Sequence, residues 1–206
     1  MDELVRLRTA LRGPLPGHDA FVEVSGYKRP DMDQVLAMDP PPRESAVLIA
    51  VYPELGSYHT LLMLRPAYDG VHSGQVSFPG GRREPGDASL EATALREFSE
   101  ETGSMAPVEV LGTLSPVFIP PSHSLVTPFV GFVPALGDLR PDPREVAELI
   151  HTPLQLLLEA ELKYGEQYVQ VMRARLKVPY FDVQGHVVWG ATAMMVAELR
   201  ALMGSA

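Results

Sequence analysis

The 206-residue chain contains no cysteine, which removes disulfides, thiolate metal sites and cysteine nucleophiles from consideration. It has no apolar run of transmembrane length. Its first residues, Met1-Asp2-Glu3-Leu4, have neither the basic region nor the apolar stretch of a signal peptide. A cytoplasmic, soluble protein is the resulting expectation. Positive charge is also scarce: 17 Lys and Arg against 26 Asp and Glu leave a formal charge of −9. That balance argues against a nucleic-acid backbone or an anionic membrane as partner, since both call for basic patches. It leaves room for a phosphorylated small molecule, because bound divalent cations can reverse the local sign of a site. The six histidines, His18, His59, His72, His123, His151 and His186, show no metal-binding spacing. Ser122 and Ser124 beside His123 make no hydrolase triad, for no Gly-x-Ser-x-Gly elbow occurs.

What the chain has in abundance is proline. Its 20 prolines are about twice the usual share of roughly 5%, and the clusters Pro40-Pro41-Pro42 and Pro120-Pro121 favour extended connections over long helices. Residues 2–12 read as a short amphipathic helix, and residues 13–43 as an irregular lead-in. Apolar, β-branched residues 45–52 predict a buried strand, and residues 59–65 a second. A glycine-rich stretch over 70–86 precedes a helix at about 88–102, then strand candidates at 108–117, 126–133 and 146–151. Residues 153–162 suit a short helix with proline in its first turn, residues 168–180 one or two strands, and residues 191–203 a closing amphipathic helix. Strands with helices inserted between them predict an α/β sandwich around one core, with Trp189 inside it.

Chemistry concentrates between Gly80 and Gly103. A loop from Gly80-Gly81 to Asp87 runs directly into a helix that Asp87 or Ser89 can cap and Gly103 can end. Glu97 and Glu101 stand four residues apart, hence ~40° apart around the axis, with Glu100 beside them. They continue the stripe of Leu90 and Ala94, which turns them toward the protein. Such like charges weaken a helix, and Mg²⁺ prefers one or two carboxylates plus water and phosphate oxygens, so a cation accounts for the cluster. A solvated helix face is the bland alternative.

These residues resemble the Nudix box, Gly-x5-Glu-x7-Arg-Glu-U-x-Glu-Glu-x-Gly-U with U apolar. The core Arg96-Glu97-Phe98-Ser99-Glu100-Glu101-Thr102-Gly103 is intact. Asp87 replaces the first glutamate, eight residues separate it from Arg96, and Ser104 takes the last apolar place. Residues 61–81 are similar to the signature of coenzyme A pyrophosphatases: Leu61, Leu62, Arg65, Gly74 and Phe78-Pro79-Gly80-Gly81 match, whereas Met63, Pro66 and Gly70 depart from it. The departure at Gly70 removes an arginine that could meet a substrate phosphate. Residues 119–128 and 189–193 also look like that subfamily.

The resemblance implies a Nudix α/β/α sandwich with a mixed sheet between helices over 44–206, residues 1–43 packing on it as a lead-in. It implies a Mg²⁺- or Mn²⁺-dependent pyrophosphatase acting on a nucleoside diphosphate linked to another moiety, with coenzyme A as leading candidate. The implied catalytic set is Arg96, Glu97, Glu100 and Glu101. Gly80, through its carbonyl, joins the three glutamates around metal, and Arg65, Gly74, Phe78, Gly81 and Arg83 meet substrate. Arg96 is expected to brace the loop through Asp87, Glu91 or Glu100. Open alternatives are a nucleotide sugar, a dinucleotide or a capped RNA as substrate, a nucleotide-binding regulator without catalysis, and a purely structural module. A homodimer is left open, as are the general base and any role for Glu145 and Glu148, for which a solvated surface is the favoured reading. His72 and His123 lie near the best-matching loops.

Overall fold

A computed structural model describes residues 2–26, 28–67, 73–169 and 173–204. In chain order these form helices α1 (Glu3–Ala10), α2 (His18–Phe21) and α3 (Met32–Leu36), then strands β1 (Arg43–Glu54), β2 (Ser57–Leu64), β3 (Val76–Ser77) and β4 (Gly80–Arg82). Helix α4 (Leu90–Thr102) follows, with strands β5 (Glu109–Thr113), β6 (Val117–Ile119), β7 (Ser124–Phe132) and β8 (Glu148–Pro153). Helix α5 (Leu154–Glu159), strands β9 (Leu162–Val169), β10 (Ala174–Val183) and β11 (His186–Trp189), and helix α6 (Gly190–Gly204) complete the order.

Strand β1 is the spine. It runs parallel to β7 on one edge and antiparallel to β4 and β2 along the other, so the main sheet is mixed. Its continuous apolar sequence follows from burial on both faces. Leu48, Ala50 and Tyr52 pack in one cluster with Ala94 and Phe98 of α4, while Ile49 and Val51 pack in another with Val196 and Leu199 of α6. Helices therefore cover both faces of a mixed sheet, which is the predicted α/β/α layering. No helix among the described residues is long and apolar enough to cross a membrane.

Three features depart from the sequence expectation. The lead-in is not irregular throughout: α2, a 3₁₀ turn at Val22–Val24, and α3 with its Asp31–Gln34 capping box order it. Strands β9, β10 and β11 form a separate three-stranded antiparallel sheet rather than extending the first. Helix α6 is buried nearly all round rather than amphipathic, because α1, α2, α5 and the second sheet all pack on it. Its Glu198 is fully buried, accepting hydrogen bonds from Gly17 N, Ser115 N and Ser115 Oγ at 2.7–2.9 Å. These bonds tie the lead-in and the β5–β6 connection to α6.

Candidate active site

Helix α4 is set by its caps. Ser89 Oγ accepts from Ala92 N at 3.1 Å, and Gly103 ends the helix at φ 72°, a left-handed value suited to glycine. Between those caps the stripe of Ala94, Glu97 and Glu101 faces β1 and β4. Ala94 is fully buried, Glu101 is 2% exposed, and the Glu97 side chain is 16% exposed. Glu100 turns outward, its side chain 56% exposed.

Backbone without side chains lets the carboxylates come close. A Cβ on Gly81 would lie 2.4 Å from Glu97 Oε1, so the Glu97 carboxylate rests against that residue's Cα. A Cβ on Gly80 would lie 2.3 Å from the Ala46 carbonyl oxygen, which makes this glycine a requirement of the β1–β4 pairing. Gly80 N donates to Glu101 Oε2 at 2.7 Å. Arg65 Nη2, from the end of β2, reaches both Glu101 Oε1 at 3.2 Å and the Gly80 carbonyl at 3.1 Å.

Burial raises the pKa of Glu101 to about 7, with Glu97 and Glu145 adding to the effect and Arg65 and the Gly80 amide opposing it. Glu97 is likewise raised, by burial first, against the pull of Arg96. Asp87 goes the other way. Arg96 grips it with Nε on Oδ1 and Nη2 on Oδ2, both at 2.9 Å, and Glu84 N and Thr93 Oγ1 add hydrogen bonds at 2.9 Å. These bonds, Arg96 foremost, hold its carboxyl well below the usual range. Arg96 also contacts Glu97 Oε1 at 3.0 Å, Glu100 Oε2 at 2.8 Å and the Arg82 carbonyl at 3.0 Å.

The three glutamates do not converge on one point, since Arg96 stands between Glu97 and Glu100. Among the described residues no three acidic or histidine side chains are grouped to hold a cation by themselves. The donor chemistry nonetheless fits Mg²⁺ or Mn²⁺: two hard carboxylates, Glu97 and Glu101, lie beside a backbone carbonyl, and the charge of Glu101 is under-compensated enough to lift its pKa. One or two carboxylates are also what Mg²⁺ takes from a protein when phosphate and water complete its shell.

A cleft of about 830 Å³ opens on the other side of the Gly80-Gly81 strand. Arg65, Gly74, Phe78, Gly80 and Gly81 line it; Glu97 and Glu101 do not, lying behind the glycines. Phe78 is 1% exposed and belongs to the core at the cleft base. Arg83 lies off the cleft, with Nη1 on Glu44 Oε2 at 2.8 Å and Nη2 on the Asp87 carbonyl at 3.4 Å, while its neighbour Arg82 lines it. Trp189 is only half-buried and forms part of the cleft wall instead of the core. Glu145 and Glu148 are exposed, the latter 3.6 Å from His186 Nε2 on that wall. His123 Nε2 lies 2.9 Å from the Pro40 carbonyl, and Gly70 and His72 fall outside the described residues. The sequence reading did not single out Arg29, Arg82 or His186, all of which line the cleft. For Arg82 the period of two along β4 was the available signal.

A family model described as the NUDIX domain matches residues 42–173. The uncharacterized Nudix hydrolase NudL of Photorhabdus laumondii is 37% identical over 178 residues, covering 80% of this chain and 90% of its own. The mitochondrial coenzyme A diphosphatase NUDT8 of Homo sapiens is 36% identical over 157 residues, covering 75% of this chain and 66% of its own. Among solved structures, the NUDIX domain of Shewanella oneidensis NrtR complexed with ADP ribose aligns over 64% of this chain and 88% of that chain, with 19% identity and a TM-score of 0.45. The family match spans the main sheet, the Gly80-Gly81 strand and α4, and on that ground the chain belongs to the Nudix family of pyrophosphohydrolases.

Proposed function

We propose that this chain is a Mg²⁺- or Mn²⁺-dependent hydrolase that cleaves the diphosphate of coenzyme A or a closely related nucleoside diphosphate ester. The observation that carries the reading is the Gly80-Gly81 strand, which has the desolvated carboxylates of Glu97 and Glu101 on one side and a nucleotide-sized cleft on the other. The coenzyme A assignment draws on the likeness to NUDT8 and on the partial signature over residues 61–81.

Glu97, Glu101 and the Gly80 carbonyl are the proposed metal ligands; Glu100, turned outward and paired with Arg96, would join only through water. A divalent cation held there supplies Lewis acidity, offsetting charge on the diphosphate oxygens and making water more acidic. Arg65 braces the turn by gripping Glu101 and Gly80 together, and it presents positive charge to the cleft. Arg96 fixes the loop on α4 through Asp87. Water attacks one phosphorus as the bridging P–O bond breaks, and its proton passes to a carboxylate of the α4 set and then to solvent. With coenzyme A the products are a 3′,5′-phosphorylated adenosine and 4′-phosphopantetheine.

A product-resolved screen of coenzyme A, nucleotide sugars and dinucleotides with Mg²⁺ or Mn²⁺ tests the reading. Those two products from coenzyme A sustain it. Cleavage of a different diphosphate alone moves the substrate, and turnover of none of them leaves a nucleotide-binding regulator.

A further inference from the structure

Two adjacent arginines at the end of β4 are held in opposite ways. Arg83 is committed through its side chain, with Nη1 on Glu44 Oε2 at 2.8 Å. Arg82 is committed through its backbone: it pairs with Ser45 of β1, and its carbonyl accepts from Arg96 Nη2 at 3.0 Å. Its side chain is exposed and has no hydrogen bond or ion pair among the described residues.

Strand alternation says where that side chain goes. A Cβ on Gly81 would run into the Glu97 carboxylate, so Gly81 faces α4 and Arg82 faces the other way. Ser45, its partner across the ladder, lines the cleft as Arg82 does, together with Val47 and Val126. The other two arginines of the lining are engaged. Arg65 divides Nη2 between Glu101 and the Gly80 carbonyl, and Arg29 donates to the Phe118 carbonyl. No aspartate or glutamate occurs among the described lining residues, although the chain as a whole carries −9. On an open surface a solvated arginine is ordinary. In a cleft without acids, a guanidinium on a fixed backbone with no protein acceptor is placed for an anion from solution. Gly80, whose carbonyl is a proposed metal ligand, stands two residues back along the same strand, ~7 Å between Cα atoms. An extended arginine side chain covers such a distance, so one diphosphate can meet both a cation at Gly80 and the Arg82 fork.

Resting on the diphosphate reading above, we propose that Arg82 is a substrate-binding residue that clamps the diphosphate from the cleft side of the Gly80-Gly81 strand. Its parallel N–H groups fit the non-bridging phosphate oxygens in bidentate fashion. The test is calorimetric titration with ADP in Ca²⁺, a hard cation that takes the same kind of oxygen ligands, so that binding is read directly. Arg82→Gln should weaken ADP by roughly ten- to a hundredfold, the range of one charged hydrogen-bonded contact. Arg83→Gln removes an equal charge one position away and should change the affinity by no more than about twofold, because that side chain lies off the cleft on Glu44. Arg82→Lys keeps the charge without the fork and should recover only part of the loss. Since the Arg82 side chain has no protein partner, Arg82→Gln should melt with the wild type; should it unfold, Arg82→Lys must still bind ADP severalfold more weakly than wild type. Unchanged ADP affinity in folded Arg82→Gln, equal losses in Arg82→Gln and Arg83→Gln, or no binding of ADP by the wild type overturns the clamp. An Arg82-dependent affinity in a protein that hydrolyses no diphosphate with Mg²⁺ would sink the catalytic reading and leave the clamp standing. Wild-type kcat/KM for coenzyme A in folded Arg82→Gln would do the reverse.

Discussion

Asp87 and Glu101 are both nearly buried carboxylates beside the same helix, and their surroundings push them in opposite directions. Asp87 receives a two-pronged arginine, a backbone amide and a threonine hydroxyl, so its charge is fully answered. Glu101 has one amide at 2.7 Å and one guanidinium nitrogen at 3.2 Å that is shared with the Gly80 carbonyl. Burial therefore wins at Glu101 and loses at Asp87. The difference separates a clasp from a charge left unbalanced. Asp87 fastens the loop to α4 and has nothing left to offer a ligand, whereas Glu101 holds charge that its own neighbours do not balance.

The largest effect should come from removing that charge. Glu101→Gln should lower kcat by about a hundredfold or more, a loss typical of groups that stabilise developing charge. The folded, metal-free variant should melt no lower than wild type near neutral pH, because a desolvated charge has gone. Near-normal turnover would remove Glu101 from the chemistry. Next comes the glycine contact. Gly81→Ala puts a methyl group against the Glu97 carboxylate, which must swing away, and should reduce kcat by about tenfold, near 1.4 kcal/mol in barrier, with little change in melting. Gly80→Ala collides with β1 backbone at Ala46 and Val47 and should lower Tm first. If the two alanine variants behaved alike in both assays, the distinction between them would fail.

The clasp is tested by Asp87→Asn, which should lower Tm by several degrees while reducing the kcat of the folded fraction less than Glu101→Gln does. The amide accepts from one prong of Arg96 at most without turning its own N–H groups toward the guanidinium. A Tm equal to wild type would show that Arg96 finds enough purchase on Glu97, Glu100 and the Arg82 carbonyl alone.

The two carboxylates also mark what the sequence discloses. Glu101, its helix and both caps were legible because Ser89, Gly103 and the i, i+4 spacing are local signals. The long strands β1, β2 and β7 were legible from apolar, β-branched runs. Strands β3 and β4, two and three residues long, were not, since they exist only through pairing with β2 and β1. Ser104, which stands where the box has an apolar residue, is buried at 2% exposure and donates to the Leu136 carbonyl at 2.7 Å, which meets its polarity. Arg83 was placed at substrate and Arg82 overlooked because adjacent residues of a strand face opposite ways, and only β4's register says which faces the cleft. The cleft walls were least legible: Arg29 of the lead-in and His186 and Trp189 of β11 come from two distant segments that only tertiary packing brings together.

The smallest effect sharpens the contrast by pH. Asp87 has a native pKa below its unfolded value, so its contribution is complete above about pH 4 and is lost as pH falls further. Glu101 has a native pKa of about 7 against an ordinary 4.5, so its contribution is complete below 4.5 and is lost as pH rises through about 7. The metal-free protein should then be most stable in mildly acidic solution and lose a few degrees of Tm between about pH 5.5 and about pH 8. The informative quantity is the difference between wild type and Glu101→Gln, which isolates this carboxyl from every other group. The variant should lose less Tm over the interval, and Asp87→Asn should instead flatten the acid side. A cation competes with the proton for the Glu101 carboxylate, so Mg²⁺ should raise the wild-type Tm more at about pH 8 than at about pH 5.5, and should barely move the Glu101→Gln variant. Parallel pH profiles for wild type and Glu101→Gln, with equal responses to Mg²⁺, would place the under-compensated charge somewhere other than Glu101.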